Sequence, residues 1–201
     1  MKTHYQVLIV GGGTGGIMTA AMLVKKSPEL QVAILDPSDK HFYQPAYTLV
    51  AAGTFDKDKT ERAMSSVIPK GVEWIKDMAV AFQPESNSLE TEKSGHLTYE
   101  FLVLSPGVVM VPEMIEGLKE ALEKKAVCSN YIDPEETWRQ LQNFKGGNAL
   151  FVQPLTPIKC GGAPQKAAYM SADYLRKNNL LEKSNVILTM PGSVVFGVKE
   201  I

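Results

Sequence analysis

The chain has 201 residues, 44% of them hydrophobic, enough for one large or two small globular domains with a real core. Lys and Arg (21) balance Asp and Glu (22) to a formal net charge of −1, and the cations are scattered, which argues against a nucleic-acid partner. The apolar runs fall far short of the ~20 residues that span a bilayer; two cysteines, Cys128 and Cys160, are too few for a secreted disulfide framework and lack metal-ligand spacing, so a reducing compartment and no metal are expected.

The apolar run Val7-Leu8-Ile9-Val10 predicts a first strand and residues 17–26 a helix. Between them stands Gly11-Gly12-Gly13-Thr14-Gly15-Gly16. Glycines in this setting have separate jobs: Gly11 turns the strand sharply, Gly13 lets backbone approach a pyrophosphate, and Gly16 lets helix and strand pack closely. The helix N-terminus then faces the phosphates with its free N–H groups and positive dipole end, and Thr14 and Gly15 in the turn are candidate cofactor contacts. A second strand over 31–35 ends in Asp36, about 20 residues past the last glycine, where a carboxylate takes ribose hydroxyls and repels a 2′-phosphate. Strand, turn, helix, strand and acid fall in the order of a dinucleotide-binding unit.

An aromatic-dense segment follows, His41-Phe42-Tyr43-Gln44-Pro45-Ala46-Tyr47. Residues 56–66 predict a short helix, 71–75 a strand, and 79–83 and 88–91 two strands flanking the turn Pro84-Glu85-Ser86-Asn87. The nearly continuous apolar run 99–104 predicts a strand buried on both faces, ending in Ser105-Pro106-Gly107. That order describes a parallel sheet with an antiparallel appendage, the α/β layout of a Rossmann-like FAD-binding domain. Lys40 and Gln44 are candidates to line the flavin or its ribityl chain, whereas His41 reads as a plain loop residue.

A second unit then begins, with helices over 113–125 and 134–144, a strand over 148–152, a helix over 163–177 and a strand over 185–190. The expected division is an FAD-binding domain over 1–118 and the start of a second Rossmann-like domain over 119–201. Trp138, Leu141 and Phe144 share one helix face and read as core. After Val152 the chain reads Gln153-Pro154-Leu155-Thr156-Pro157-Ile158-Lys159-Cys160-Gly161-Gly162-Ala163-Pro164-Gln165-Lys166. Its prolines stiffen the loop and no second glycine fingerprint is present, so a nicotinamide cofactor is not expected there. Cys160 precedes a helix start marked by Gly161-Gly162 and Pro164, where the dipole, Lys159 and Lys166 favour a thiolate nucleophile; a buried structural cysteine is the competing reading. Cys128 lacks that setting and reads as a bystander.

Taken together, Gly11-x-Gly13-x-x-Gly16, Tyr43-Gln44-Pro45 leading to Ala52-Gly53, Ser129-Asn130-Tyr131, and above all residues 157–166 resemble the sulfide:quinone oxidoreductases, most of all the branch that contains the mitochondrial enzymes. The resemblance runs through all 201 residues and matches the N-terminal portion of that family. It implies an enzyme that oxidises sulfide to sulfane sulfur and passes two electrons through FAD to a quinone. Cys160 is then one member of a redox pair, the other lying in a C-terminal portion together with the rest of the flavin site and the membrane-attaching helices, so that this chain alone is inactive. It also implies a small-molecule sulfur acceptor, weight for Gln44 and Pro45 at the flavin, and Val80 against the adenine, for which an ordinary core valine is the equal alternative. Ser105-Pro106-Gly107 replaces the usual alanine-threonine-glycine at the pyrophosphate edge. A peripheral site on the cytoplasmic side of a membrane is expected, in a bacterium rather than a mitochondrion because no arginine-rich presequence is seen, and a homo-oligomer is compatible. Two rivals stay open: a type II NADH:quinone reductase or related disulfide oxidoreductase, and a non-catalytic nucleotide-binding module.

Overall fold

The computed structural model describes residues 2–192, 194 and 195. In chain order the elements are β1 (His4–Val10), α1 (Thr14–Lys26), β2 (Val32–Leu35), β3 (Lys40–Phe42), α2 (Tyr47–Ala51), β4 (Glu61–Ala63), α3 (Met64–Val67) and β5 (Val72–Ile75). There follow β6 (Ala79–Gln83), β7 (Ser88–Thr91), β8 (His96–Leu104), α4 (Leu118–Glu123), α5 (Pro134–Asn143), β9 (Gly147–Val152), α6 (Ala163–Lys177) and β10 (Ser184–Thr189). They form two compact units, residues 1–43 with 61–108, and residues 44–60 with 109–201. The segment 44–60 thus belongs with the later part of the chain, as does α4.

In the first unit a six-stranded sheet has the order β5-β2-β1-β8-β7-β6. β5, β2, β1 and β8 run parallel, and β7 and β6 add an antiparallel extension. Helix α1 covers one face, packing Ala20, Ile17 and Leu23 on Val7, Ile9, Val32 and Ile34. The opposite face buries Tyr5, Leu8, Val10, Ala33, Leu35, Ile75 and Tyr99. Burial on both faces is why β1 and β2 read as uninterrupted apolar runs.

Three predicted elements differ. Residues 56–66 do not form one helix: a 3-10 turn over Lys57–Thr60 leads into β4, which pairs antiparallel with β3, and only then comes α3. A long-range backbone partner overrides the local preference. The strand β8 is not buried throughout, since Phe101 is 67% and Leu104 60% exposed. β7 pairs with it only over residues 96–98, so its second half meets a neighbouring strand only on the β1 side among the described residues. The helix expected over 113–125 is cut to α4, because Gly117 stands in the left-handed region at φ 73° and caps a fresh start.

Asp77, 1% exposed, ties the β5–β6 turn to the β7–β8 turn. Its carboxylate accepts the N–H groups of Met78 (2.8 Å), Lys93 (3.0 Å) and Ser94 (2.6 Å). Burial pushes its pKa up, but the Ser94 hydroxyl and these N–H donors outweigh it and hold the carboxyl well below the usual range. A depressed folded pKa contributes stability above the unfolded pKa of about 4 and loses it as pH falls towards the folded value. Asp77→Ala should therefore cost about 3 kcal/mol in urea unfolding at pH 7. The gap from the parent should be flat from about pH 8 to 5 and close below about pH 4; a gap that widens with acid contradicts this account.

In the second unit β9 and β10 pair in parallel, in register from Gly147–Ser184 to Val152–Thr189, joined by α6. α6 buries Gln165, Ala168, Ser171 and Leu175, one stripe at helical spacing. α5 starts where sequence signals place it: Asp133 accepts the Glu136 N–H (3.0 Å) and Pro134 opens the first turn. Its Trp138 lies edge-on to Tyr174 with ring centroids 4.9 Å apart. The same ring lies so close to Gly53 that a Cβ there would stand 2.4 Å from it.

Candidate functional site

In the first unit, β1 ends in a turn that only glycine can make at two points. Gly11 has φ 107°, and a Cβ on it would lie 2.1 Å from the Ser105 carbonyl oxygen. A Cβ on Gly16 would lie 1.9 Å from the Gly11 carbonyl oxygen. Gly13 is different: it is the N-cap of α1, no side chain caps the helix, and a Cβ there would meet nothing within 4 Å. Gly13, Thr14 and Gly15 are exposed and the first turn carries no acid. The leading N–H groups of α1 therefore open onto free space, which fits an anionic pyrophosphate.

Asp36, at the end of β2, lies at the rim of this turn and is half-buried. Its Oδ2 accepts the Gly12 N–H (2.6 Å) and its Oδ1 the Ser38 N–H (2.8 Å). Trp74 Nε1–H donates to the Asp36 carbonyl (2.9 Å). His41 is no plain loop residue: it lies on β3, and its Nδ1–H donates to the Gly12 carbonyl (3.1 Å), so Gly12 is held from both sides. The Ser105 hydroxyl lies 3.2 Å from both the Val10 and Gly11 carbonyls, bracing the turn from β8. Pro106 and Gly107 follow on the surface, Lys40 pairs with Glu61 (2.6 Å), and Val80 is 56% exposed on β6.

In the second unit three separate segments meet. Gln44 opens a 3-10 turn over Gln44–Ala46, ahead of α2, and its Oε1 accepts a hydrogen bond from the Tyr131 hydroxyl (2.6 Å) and another from Lys159 Nζ. The Lys159 ammonium also donates to the Tyr131 oxygen (3.0 Å) and stands 4.3 Å from the ring centroid. Tyr131 is set by the turn it sits in, where its own N–H and that of Ile132 donate to the Ser129 hydroxyl, and by the Tyr47 ring at 6.1 Å.

The next residue, Cys160, is exposed and has a free thiol; its carbonyl accepts the Ala163 N–H (3.1 Å) two residues ahead of the Gly162 N-cap of α6. Cys128 is half-buried, and burial pushes its thiol pKa up against the opposing hydrogen bond with Thr137. The two sulfurs therefore differ in the accessibility that thiol chemistry needs.

Residues 5–151, well over half of the chain, match the pyridine nucleotide-disulphide oxidoreductase family. The chain belongs to that family. The mitochondrial sulfide:quinone oxidoreductase of Mus musculus is 42% identical over 201 residues, spanning 99% of this chain and 45% of the mouse protein. That of Dictyostelium discoideum is 39% identical over 204 residues, spanning all of this chain and 45% of its own length. Among solved structures, the sulfide:quinone oxidoreductase of Aquifex aeolicus matches with a TM-score of 0.73 at 25% identity, over 91% of this chain and 42% of that one. The chain spans less than half the length of these relatives. In this member of the pyridine nucleotide-disulphide oxidoreductases, β9 runs into a loop without a glycine fingerprint, carrying an exposed cysteine.

Sequence reasoning missed His41 and Trp74 as braces of the first turn, and the bonding of Gln44 to Tyr131 and Lys159. The segments of the latter three each stand out in the sequence, but nothing local in them says that they touch.

Proposed function

We propose that this chain is the part of an FAD-dependent sulfide:quinone oxidoreductase that holds the nucleotide turn and one redox cysteine. The observation that carries the reading is the exposed Cys160 in the proline-stiffened loop after β9, where a second dinucleotide fingerprint would otherwise stand. The relatives' names and the open, uncapped start of α1 support it. FAD, when bound, supplies a two-electron carrier between a thiol and a quinone. Gly11, Gly13 and Gly16 shape its pyrophosphate cradle, Thr14 and Gly15 present backbone donors, and Asp36 takes ribose hydroxyls. Ser105, Pro106 and Gly107 form the far edge of that cradle, with Val80 towards the adenine and Lys40 towards the flavin end. The FAD-binding part runs to about residue 118 and the cysteine-loop part follows it.

Cys160 is one of a sulfur-bridged pair whose second member lies outside these 201 residues. Hydrosulfide attacks a sulfur of the bridge, which leaves a persulfide on one cysteine and a thiolate on the other. The persulfide sulfur passes to a small-molecule acceptor and the electron pair to a quinone. No helix among the described residues is long and apolar enough to cross a membrane, and membrane contact is assigned to segments outside this chain.

In the flavin-loaded protein that contains this chain, sulfide should drive reduction of a soluble quinone analogue. NADH and NADPH should support less than about one-hundredth of that rate, because the loop after β9 lacks the glycine fingerprint that brings backbone N–H groups onto a second pyrophosphate. Rapid NADH-driven quinone reduction sinks the reading in favour of an NADH:quinone reductase.

A further inference from the structure

The loop from Gln153 to Gly162 has no regular secondary structure, yet it must deliver one thiol to one place. Its ends are held by backbone: Gln153 N–H donates to the Thr189 carbonyl (2.9 Å), and Ala163 N–H to that of Cys160 (3.1 Å). Between them, the residue next to the cysteine reaches out of the loop, to partners 115 and 28 positions away in sequence. Lys159 donates to Gln44 Oε1 and to the Tyr131 oxygen, and Tyr131 donates to the same Gln44 oxygen (2.6 Å). The three polar groups close a ring of hydrogen bonds. Tyr131 is itself fixed, by the Ser129 turn on one side and by Tyr47 on the other. Gln44 is fixed by the 3-10 turn that leads into α2.

We propose that Gln44, Tyr131 and Lys159 form a polar clamp that sets the position of Cys160, so that Lys159 is a positioning residue whose ammonium acts through Gln44 and Tyr131 and not as a counter-charge to the thiolate. The proposal rests on Cys160 being the redox cysteine, and it reassigns Gln44 from the flavin to the cysteine loop. A lysine beside a reactive cysteine invites the opposite interpretation, that it lowers the thiol pKa directly. The geometry argues otherwise, because the ammonium has two oxygen partners and an aromatic face already in place, all of them remote in sequence from the thiol. Losing the carboxamide or the phenol oxygen should then harm Cys160 chemistry as much as losing the lysine. A counter-charge role makes the lysine loss stand alone.

The test uses the flavin-loaded protein in a Cys128→Ser background, so that one thiol is followed. Lys159→Met, Gln44→Leu and Tyr131→Phe should each slow sulfide-driven flavin bleaching by about tenfold, the cost of a displaced reacting atom. The Lys159→Met/Gln44→Leu double variant should be no slower than the worse single, since both break one unit. Lys159→Arg keeps a cationic donor and should recover most of the rate. The rate of Cys160 alkylation by iodoacetamide, followed against pH, should change in amplitude with an unmoved midpoint in all three single variants. Tyr131→Phe keeps the ring and removes one atom, so it guards against a folding artefact, with flavin absorbance as the check. Parental bleaching rates, a multiplicative double variant, or an alkylation midpoint that rises in Lys159→Met alone would overturn the clamp. Failure of the underlying reading looks different: a Cys160→Ser protein that still bleaches with sulfide at the parental rate removes the redox role, while the alkylation profiles still judge the clamp.

Discussion

Cys160→Ser should reduce sulfide-driven flavin reduction by at least about a thousandfold, while Cys128→Ser should keep most of the rate. A serine hydroxyl can neither close a disulfide nor carry a sulfane sulfur, so no residual route runs through position 160. Accessibility decides the contrast between the two positions. Cys160 is exposed in the turn before α6, whereas Cys128 is half-buried, its thiol held protonated by burial beside Thr137. Stopped-flow bleaching by sulfide in each variant checks this, with retained flavin absorbance as the folding control. Loss of activity in the Cys128 variant alone means that the redox cysteine has been assigned to the wrong position.

Two glycines of one turn should fail in different ways. Gly16→Ala puts a methyl group 1.9 Å from the Gly11 carbonyl oxygen, and backbone has to move. The cost should be about 2–3 kcal/mol, a fall of roughly 5–10 °C in Tm, with or without flavin. Gly13→Ala meets no protein atom within 4 Å and its φ of −72° suits any residue, so the flavin-free protein should melt as the parent does. Its methyl group instead enters the open space in front of α1, and bound flavin should fall by about tenfold or more. Thermal melts of flavin-stripped protein, beside the flavin content of each preparation, separate the two. Equal melting losses, or a Gly13→Ala protein with full flavin, contradict the assignment of fold support to Gly16 and cradle to Gly13.

What the sequence made legible is local. The glycine turn is bounded by β1 and α1, Asp36 closes β2, and α5 and α6 begin at Pro134 and beside Pro164, because each signal acts within a few residues. Apart from Gly117, which restarts the chain at α4, the failures are non-local. Residues 61–63 form a strand because Lys40–Phe42 offers them a partner, and Phe101 is exposed because sheet pairing stops at Thr98 on one side of β8. The site divides in the same way. Its glycines and acid could be named from spacing, but His41 reaches Gly12 across 29 positions and Lys159 reaches Gln44 across 115, contacts that no window of sequence contains.

On the proposed function, electrons enter this protein from sulfide at a cysteine rather than from a nicotinamide. Anaerobic addition of sulfide to the flavin-loaded protein, followed by a quinone, tests it directly through the flavin spectrum. Sulfide should bleach the oxidised flavin bands within seconds, the quinone should restore them, and an equal dose of NADH should leave them unchanged. Bands that persist in sulfide but vanish with NADH would contradict the account.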